Sequence, residues 1–150
     1  MPTYVVNHNA IVVSTAITII QIKAGASHPL ELLRANISQG LSGTSTMVSI
    51  QILRKTVAAT VTSFTPLPYG AVTTVADAVG GVAATGITAT AEGTDGDILV
   101  NEGFNILNGF TWTPADAREP IWVPAAGIIA LKFPVAPASA TWRAYMVFAE

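Results

Sequence analysis

The chain contains no cysteine, which excludes a disulfide framework, thiolate chemistry and a cysteine-ligated zinc. Charge is also scarce. Asp, Glu, Lys and Arg make up 11% of the 150 residues, against about 25% in an ordinary soluble domain, and the net charge is −2. Lys and Arg are too few to form the basic face that nucleic acid requires, so no nucleic-acid partner is expected.

Long hydrophobic runs are missing as well. Thr, Gln or Lys interrupts each apolar run within about ten residues, whereas a membrane-spanning helix needs about 20. The N-terminus lacks the Arg- or Lys-led hydrophobic start of a signal peptide. We therefore expect a soluble product that is synthesised in a cytoplasm and has no membrane partner.

Hydrophobic residues are abundant by contrast, at 51% of the chain with a mean hydropathy of +0.53. The polar surface must come from Thr, Ser, Asn and Gln, whose side chains cost less to dehydrate than ions. A domain of this size cannot hide so much apolar surface by itself. The composition therefore predicts burial against copies of the same chain, which means a homo-oligomer, or against a partner.

Apolar residues recur at every second position in most segments, and a period of 3.6 never persists beyond a turn or two. A period of two is typical of a half-buried strand. The chain is therefore predicted to be all-β: a single-domain antiparallel β-sandwich over residues 1–150, jelly-roll-like, with about nine or ten strands. The inward side chains are predicted to be Leu33, Ala35 and Ile37 in one strand, and Trp142, Ala144, Met146 and Phe148 in the last.

Two segments fit this pattern less well. Residues 1–9 are predicted to be an N-terminal arm or an edge strand. Residues 66–84 carry one charge and many alanines and valines, and form either an excursion packed on the sandwich or a contact surface. Apolar segments of this kind do not stay exposed in water, so both are predicted to make intermolecular contacts. The predicted interface residues are Tyr4, Val5, Val6, Tyr69, Val72, Val75 and Val79.

Candidate chemistry is sparse. His8 and His28 lie beside turn signals, outside any metal-binding spacing, and no G-x-S-x-G motif is present. Both histidines are therefore interpreted as loop residues without a catalytic role, and no enzyme activity is expected. Asn108-Gly109 is predicted to be the turn of a hairpin between the strands on either side of it.

The best metal candidate is residues 92–97, E-G-T-D-G-D. The oxygen ligands there would be Glu92, Asp95 and Asp97, folded together by the glycines. The segment lacks EF-hand spacing, and Asp-Gly is also a common way to make a tight turn. A turn is the favoured interpretation, a cation site the alternative, and a glycosidase carboxylate pair a remote one. No cofactor is expected.

The aromatic residues allow two interpretations. They form either a platform on which sugars stack or part of a core or subunit interface, and core aromatics are far commoner because large rings bury the most apolar area. The residues concerned are Phe110, Trp112, Trp122 and Trp142.

Three stretches carry a resemblance: I-T-I-I-Q-I-K-A-G followed by H-P-L-E-L-L-R-A-N-I-S, then A-D-A-R-E-P-I-W-V-P-A-A-G-I-I-A-L-K-F, then W-R-A-Y-M-V-F-A-E. In this order they resemble small β-sandwich virion proteins of tailed bacteriophages, of the head decoration or cement type. The resemblance implies a non-enzymatic oligomer, with a trimer the best expectation, that binds the major capsid protein lattice on the capsid surface of the virion. The long apolar loop at residues 66–84 departs from it.

The alternative is a phage tail or fibre module that binds carbohydrate or another tail protein. The two hypotheses differ in what they require of the face that holds Trp112 or Trp122. A decoration protein has a dry interface there, whereas a carbohydrate-binding module has an open aromatic groove.

Overall fold

The computed structural model describes residues 1–40, 44–70 and 74–150. Twelve strands lie in these ranges, and no helix there has the length and hydropathy needed to cross a membrane. The strands are β1 (Thr3–Val13), β2 (Ile17–Lys23), β3 (Leu30–Gln39), β4 (Met47–Val57), β5 (Thr60–Ser63), β6 (Leu67–Pro68), β7 (Gly86–Ala91), β8 (Thr94–Asn105), β9 (Phe110–Trp112), β10 (Ile121–Val123), β11 (Ile128–Phe133) and β12 (Ala140–Ala149).

The strands form two sheets, in which every described strand pairing is antiparallel. Sheet A has the order β10-β3-β12-β1-β6, and β9 pairs with β3 beside β10. Sheet B has the order β5-β7-β2-β11-β4-β8. The predicted all-β, antiparallel sandwich is confirmed. The predicted count of strands was too low; β6, for example, has only two residues and leaves no periodicity to detect.

The main hydrophobic core lies between the two sheets. Its largest side chain is Trp142 of β12, whose ring centroid lies 4.9 Å from that of Phe133 on β11 and 6.1 Å from that of Phe104 on β8. These contacts join sheet A to sheet B. Burying such a side chain contributes about 1.5–3 kcal/mol, so the core aromatics are a large part of what holds the sheets together.

The register of β3 differs in part from the predicted one. Ala35 and Ile37 are buried as expected, but Leu32 takes the core position instead of Leu33, which is only half-buried. The cause is a register shift opposite β12, between Val147 and Phe148. A bulge moves the alternation by one residue, and a pattern of period two cannot reveal where that happens.

Residues 1–9 are not an arm. Residues from Thr3 onward belong to β1, which runs between β12 and β6 in sheet A and pairs with β12 from Thr3↔Ala149 to Val13↔Ala140. Tyr4 is 1% exposed, and its ring packs on that of Phe148. The strand alternative holds and the arm alternative does not: the Asn-His-Asn sequence resembles a turn, but the strand continues through it with a register shift after His8.

The hairpin predicted at Asn108-Gly109 does not form. β8 pairs with β4 in sheet B, whereas β9 pairs with β3 in sheet A, so this turn carries the chain from one sheet to the other. Gly109 has φ +68, and a Cβ there would lie 2.9 Å from the carbonyl oxygen of Ile37. Only glycine combines this left-handed backbone with so close an approach.

The described part of the apolar segment 66–84 packs on the sandwich. β6 lies within it and pairs with β1. Further on, the Glu150 carboxylate accepts hydrogen bonds from the backbone N–H groups of Asp77 and Ala78, the second at 3.1 Å. The Tyr4 hydroxyl lies 3.0 Å from Thr74 Oγ1. These contacts fix the backbone of residues 74–78 against sheet A.

Candidate interaction surfaces and the buried charge cluster

Two of the three candidate metal ligands belong to an ion-pair cluster at one end of sheet B. Lys55 Nζ lies 3.0 Å from Glu92 Oε2 and 2.7 Å from Asp95 Oδ1. Lys132 Nζ lies 2.5 Å from Asp95 Oδ2 and 3.5 Å from Glu92 Oε2. The Lys55 side chain has no exposed surface. Two ammonium groups therefore occupy the space in which a cation would sit.

Thr18 completes this cluster. Its backbone N–H and its hydroxyl donate to the two carboxylate oxygens of Glu92, at 2.6 and 2.7 Å. Burial alone would raise the pKa of Glu92, but the hydrogen bonds from Thr18 and Lys55 outweigh it and hold that pKa below its ordinary value. The pKa of Asp95 is lowered in the same way, since Lys132 and Lys55 outweigh its burial. Both side chains are therefore carboxylates at neutral pH.

The third candidate, Asp97, stands apart. Its side chain is 83% exposed and lies 3.9 Å from Arg54 Nη1. No group of three or more His, Asp or Glu side chains within residues 1–40, 44–70 and 74–150 is arranged to hold a metal. The structure does not bring Glu92, Asp95 and Asp97 together as one set of ligands, because lysines contact the first two and the third lies beside Arg54. The turn predicted over residues 92–97 is limited to residues 92 and 93, which connect β7 to β8, because Thr94 onward, including Asp95-Gly96, belongs to β8.

The two histidines have different environments. His8 belongs to β1 and is 2% exposed, so its interpretation as a loop residue is wrong. Its Nε2 lies 2.8 Å from Thr88 Oγ1 of β7, and burial lowers its pKa. His28 is exposed, and its Nδ1 lies 2.6 Å from Asp77 Oδ2, a hydrogen bond that raises its pKa.

The aromatic residues do not form a platform. Trp142 is in the core, and Trp112 packs against the core from β9. Trp122 is 51% exposed on β10. It pairs with the half-buried Glu31 of β3, whereas Trp112 pairs with the buried Ala35, so the two tryptophans lie on opposite faces of sheet A.

The predicted interface residues fall into three groups. Tyr4 and Val6 are buried in the core, and Val5 is half-buried, because residues 3–9 lie in β1, which pairs with β12. Val72 lies outside the described residues. The exposed side chains are Tyr69 (58%), Val75 (79%) and Val79 (56%), together with Val82 (60%), which was not predicted.

We call residues 74–82 the valine segment. Its backbone is held against the sandwich while Val75, Val79 and Val82 remain in solvent. Branched apolar side chains concentrated on one anchored segment are typical of a surface that another protein covers.

A second surface was missed at the sequence level. On the outer face of sheet A, a groove of about 440 Å³ is lined mainly by polar side chains of β1, β3 and β12. Asn7, Tyr145 and Asn36 form one row across it, since Asn7 pairs with Tyr145 and Tyr145 with Asn36. The alternation within each strand indicates which side chains point outward. It does not indicate that Asn7, Tyr145 and Asn36 share one row, because β1, β12 and β3 are distant in sequence.

Comparison of the chain with models of protein families, with curated proteins and with solved structures finds no match. What the protein does is therefore inferred from its own fold and surfaces.

Proposed function

We propose that this chain is a non-enzymatic virion structural protein, and specifically a capsid decoration (cement) protein. It forms a homo-oligomer, with a trimer as the expected state, binds the lattice of the major capsid protein and stabilises the head. The observation that carries this proposal is the strand order of the two sheets, read together with the exposed valine segment.

The strand order supports a jelly roll, the double Greek-key sandwich of many viral capsid proteins. Within sheet A, β1-β12-β3 is followed by β9 and β10, which act as one interrupted strand along β3. Within sheet B, the corresponding strands are β2-β11-β4-β8. With β9 and β10 counted as one strand, these two sets contain eight strands. In chain order the eight strands lie in sheets A, B, A, B, B, A, B and A. The strands β5, β6 and β7 are then an insertion between β4 and β8.

The insertion provides the surface for assembly. The valine segment lies within it, between β6 and β7. Its anchoring to Glu150 lets the valines contact a neighbour without first ordering the backbone, which lowers the entropic cost of association. Low overall charge acts in the same direction, because few ions have to be dehydrated when the surface is covered.

The second candidate function is a tail or fibre module that binds carbohydrate. The polar groove on sheet A favours it, since sandwiches of this architecture also include lectins. The groove is lined by asparagine amides together with Ser38, Arg143 and Tyr145, and it does not include the exposed Trp122.

Mass spectrometry of purified phage particles, combined with a low-resolution map of the head, tests the proposal. We expect the chain in the particles at a copy number that matches the capsid lattice, with density on the outer surface of the head. Density at the tail alone would favour the second candidate. Particles that lack the chain would contradict both.

The contact surface is tested by the triple substitution Val75→Ser, Val79→Ser and Val82→Ser. We expect this variant to keep the melting temperature of the wild type and to lose most of its binding to heads. Val135→Ser is the matched control, because Val135 is 65% exposed and lies outside the insertion. Equal binding by both variants would exclude the valine segment as the contact surface.

A further inference from the structure

The outer face of sheet A carries two neighbouring grooves, the first lined mainly by polar side chains and the second by both polar and apolar ones. The first is lined by Asn7, Asn9, Asn36, Ser38, Arg143 and Tyr145. The second, also about 440 Å³, is lined by Thr3, Leu33, Arg34, Tyr69, Thr113 and Val147. Val147 and Arg34 of the second groove pair with each other, two residues along the strands from Tyr145 and Asn36 of the first. Together they form one strip, which we call the sheet A strip.

The chemistry of the first groove is unusual for this chain. The chain has six asparagines, and three of them line the first groove, although sheet A contributes only part of the surface of the protein. Asn36 is held in place, since its Nδ2 donates to Thr111 Oγ1 at 2.7 Å and to the Phe110 carbonyl at 3.2 Å. Amides both donate and accept, which suits a ligand with many hydroxyl groups.

The charge of the strip is positive in a protein of net negative charge. Among the described residues that line the two grooves, Arg34 and Arg143 are the charged ones. Neither has a carboxylate within 4 Å in the described part of the chain, whereas Lys55, Lys132 and Arg54 all do. Two exposed guanidinium groups without acidic partners are free to bind an anion.

The separation of the two arginines indicates an extended ligand. Arg143 pairs with Ser38, four residues along β3 from Arg34. At about 3.3 Å per residue, the two backbone positions are roughly 13 Å apart. A single small anion does not span that distance, and two cations are too few to hold a nucleic acid, whose binding depends on many phosphate contacts.

We propose that the sheet A strip binds an acidic oligosaccharide. Arg143 and Arg34 contact acidic groups on separate sugar units by paired N–H donors. The asparagine amides hydrogen-bond hydroxyls between them, and the Tyr145 ring supplies an apolar face for a sugar ring. This activity goes beyond head stabilisation and gives the protein an affinity for polysaccharide-coated surfaces.

Titration calorimetry with the full chain tests this inference. The probes are hexagalacturonate, sialyllactose and a heparin hexasaccharide, with fully methyl-esterified hexagalacturonate as the neutral match. We expect at least one acidic probe to bind, and removal of the acidic groups to weaken binding about tenfold or more. Absence of binding by all three acidic probes at millimolar concentration would overturn the proposal.

Matched variants separate the strip from general charge effects. Arg143→Gln and Tyr145→Ala should each weaken binding about tenfold. Arg118→Gln removes another exposed arginine, which lines neither groove, and should leave binding unchanged. Melting curves establish that all three variants are folded. Equal effects of Arg143→Gln and Arg118→Gln would overturn the proposal.

Two further probes identify the ligand class. A hexaglutamate peptide or orthophosphate that binds as tightly as the best oligosaccharide would mean that the strip recognises acidic charge alone, and the saccharide assignment would fail. Neither result bears on head binding, because Val75, Val79 and Val82 do not line the strip.

Discussion

Lys55 places an ammonium group at a position where its side chain has no contact with solvent. Its two partners, Glu92 and Asp95, are only partly exposed, and a second lysine, Lys132, shares them. A buried charge is stable only while its partners remain, so each member of the cluster depends on the others. The cluster also joins β4, β11 and the turn between β7 and β8, which are separate in sequence.

Replacement of Lys55 tests this dependence. We expect Lys55→Met to reduce the free energy of unfolding by about 3 kcal/mol, the lower end for a broken buried pair, because Lys132 still contacts both carboxylates. Urea denaturation measures the loss. Lys23→Met is the control, since Lys23 is half-buried and has no acidic partner within 4 Å among the described residues. Equal losses for the two variants would contradict the structural role of the cluster.

The cluster also predicts how stability depends on pH. The pKa values of Glu92 and Asp95 are lower in the folded state than in the unfolded chain. Their contribution to stability is therefore complete above the unfolded carboxyl pKa of about 4 and is lost as the pH falls through the lower folded values.

We expect the wild type to lose stability more steeply below about pH 4 than the double variant Glu92→Gln, Asp95→Asn. Unfolding midpoints measured from pH 7 to pH 2 provide the comparison. Parallel curves for the two proteins would show that these carboxylates are not the groups that titrate.

The two histidines form a natural pair for comparison. His8→Ala removes a buried ring and its hydrogen bond to Thr88, so we expect a loss of about 1–3 kcal/mol in the free energy of unfolding. His28→Ala removes an exposed side chain, so we expect the melting temperature to stay unchanged. A melting temperature for His8→Ala equal to that of the wild type would contradict the assignment of His8 to the core.

At the level of strands, β8 differs from the other sheet edges in the described structure. It has 12 residues and pairs only with β4, whereas the other edge strands β5, β6, β9 and β10 have two to four. It carries no Lys or Pro, and its acidic residues Asp95, Asp97 and Glu102 leave residues 98–101 uncharged. A long open edge of this kind can pair with a strand of a second copy.

The proposed homo-oligomer therefore has a test on β8. Ile98 is 53% exposed on this strand, and we expect Ile98→Lys to weaken self-association in analytical ultracentrifugation. Val135→Lys introduces the same charge at a similarly exposed position outside the strands. If both variants shift the equilibrium equally, added charge rather than the β8 edge is responsible.

The strands show where sequence reasoning succeeds. Alternation alone predicted that Trp142, Met146 and Phe148 of β12 face the core, because a long strand repeats its period often enough to be recognised. It failed for β1, where the burial of His8 depends on Thr88, a residue 80 positions away. Strand propensity depends on a residue and its neighbours in sequence, whereas the contact between His8 and Thr88 depends on the fold.

At the scale of the whole molecule, the sheet A strip and the buried charge cluster were hard to predict for the same reason. The sheet A strip requires β1, β3 and β12 to be aligned, and the charge cluster requires Lys55, Lys132 and Glu92 to meet. The residue types were visible in the sequence, and a turn was predicted over residues 92–97, of which residues 94–97 lie in β8. Their partners were not visible, because antiparallel sheets of this kind bring together residues that are far apart in the chain.

The pairing of Thr3 with Ala149 has a practical consequence for protein engineering. Any polypeptide that precedes Thr3 or follows Ala149 leaves the sandwich at the same place, beside the Asp77 backbone that Glu150 holds. A cargo attached at either side therefore occupies the same position relative to the valine segment. A short linker between these neighbouring positions would also allow the chain to be opened elsewhere, so circular permutation can move an attachment point away from the contact surface.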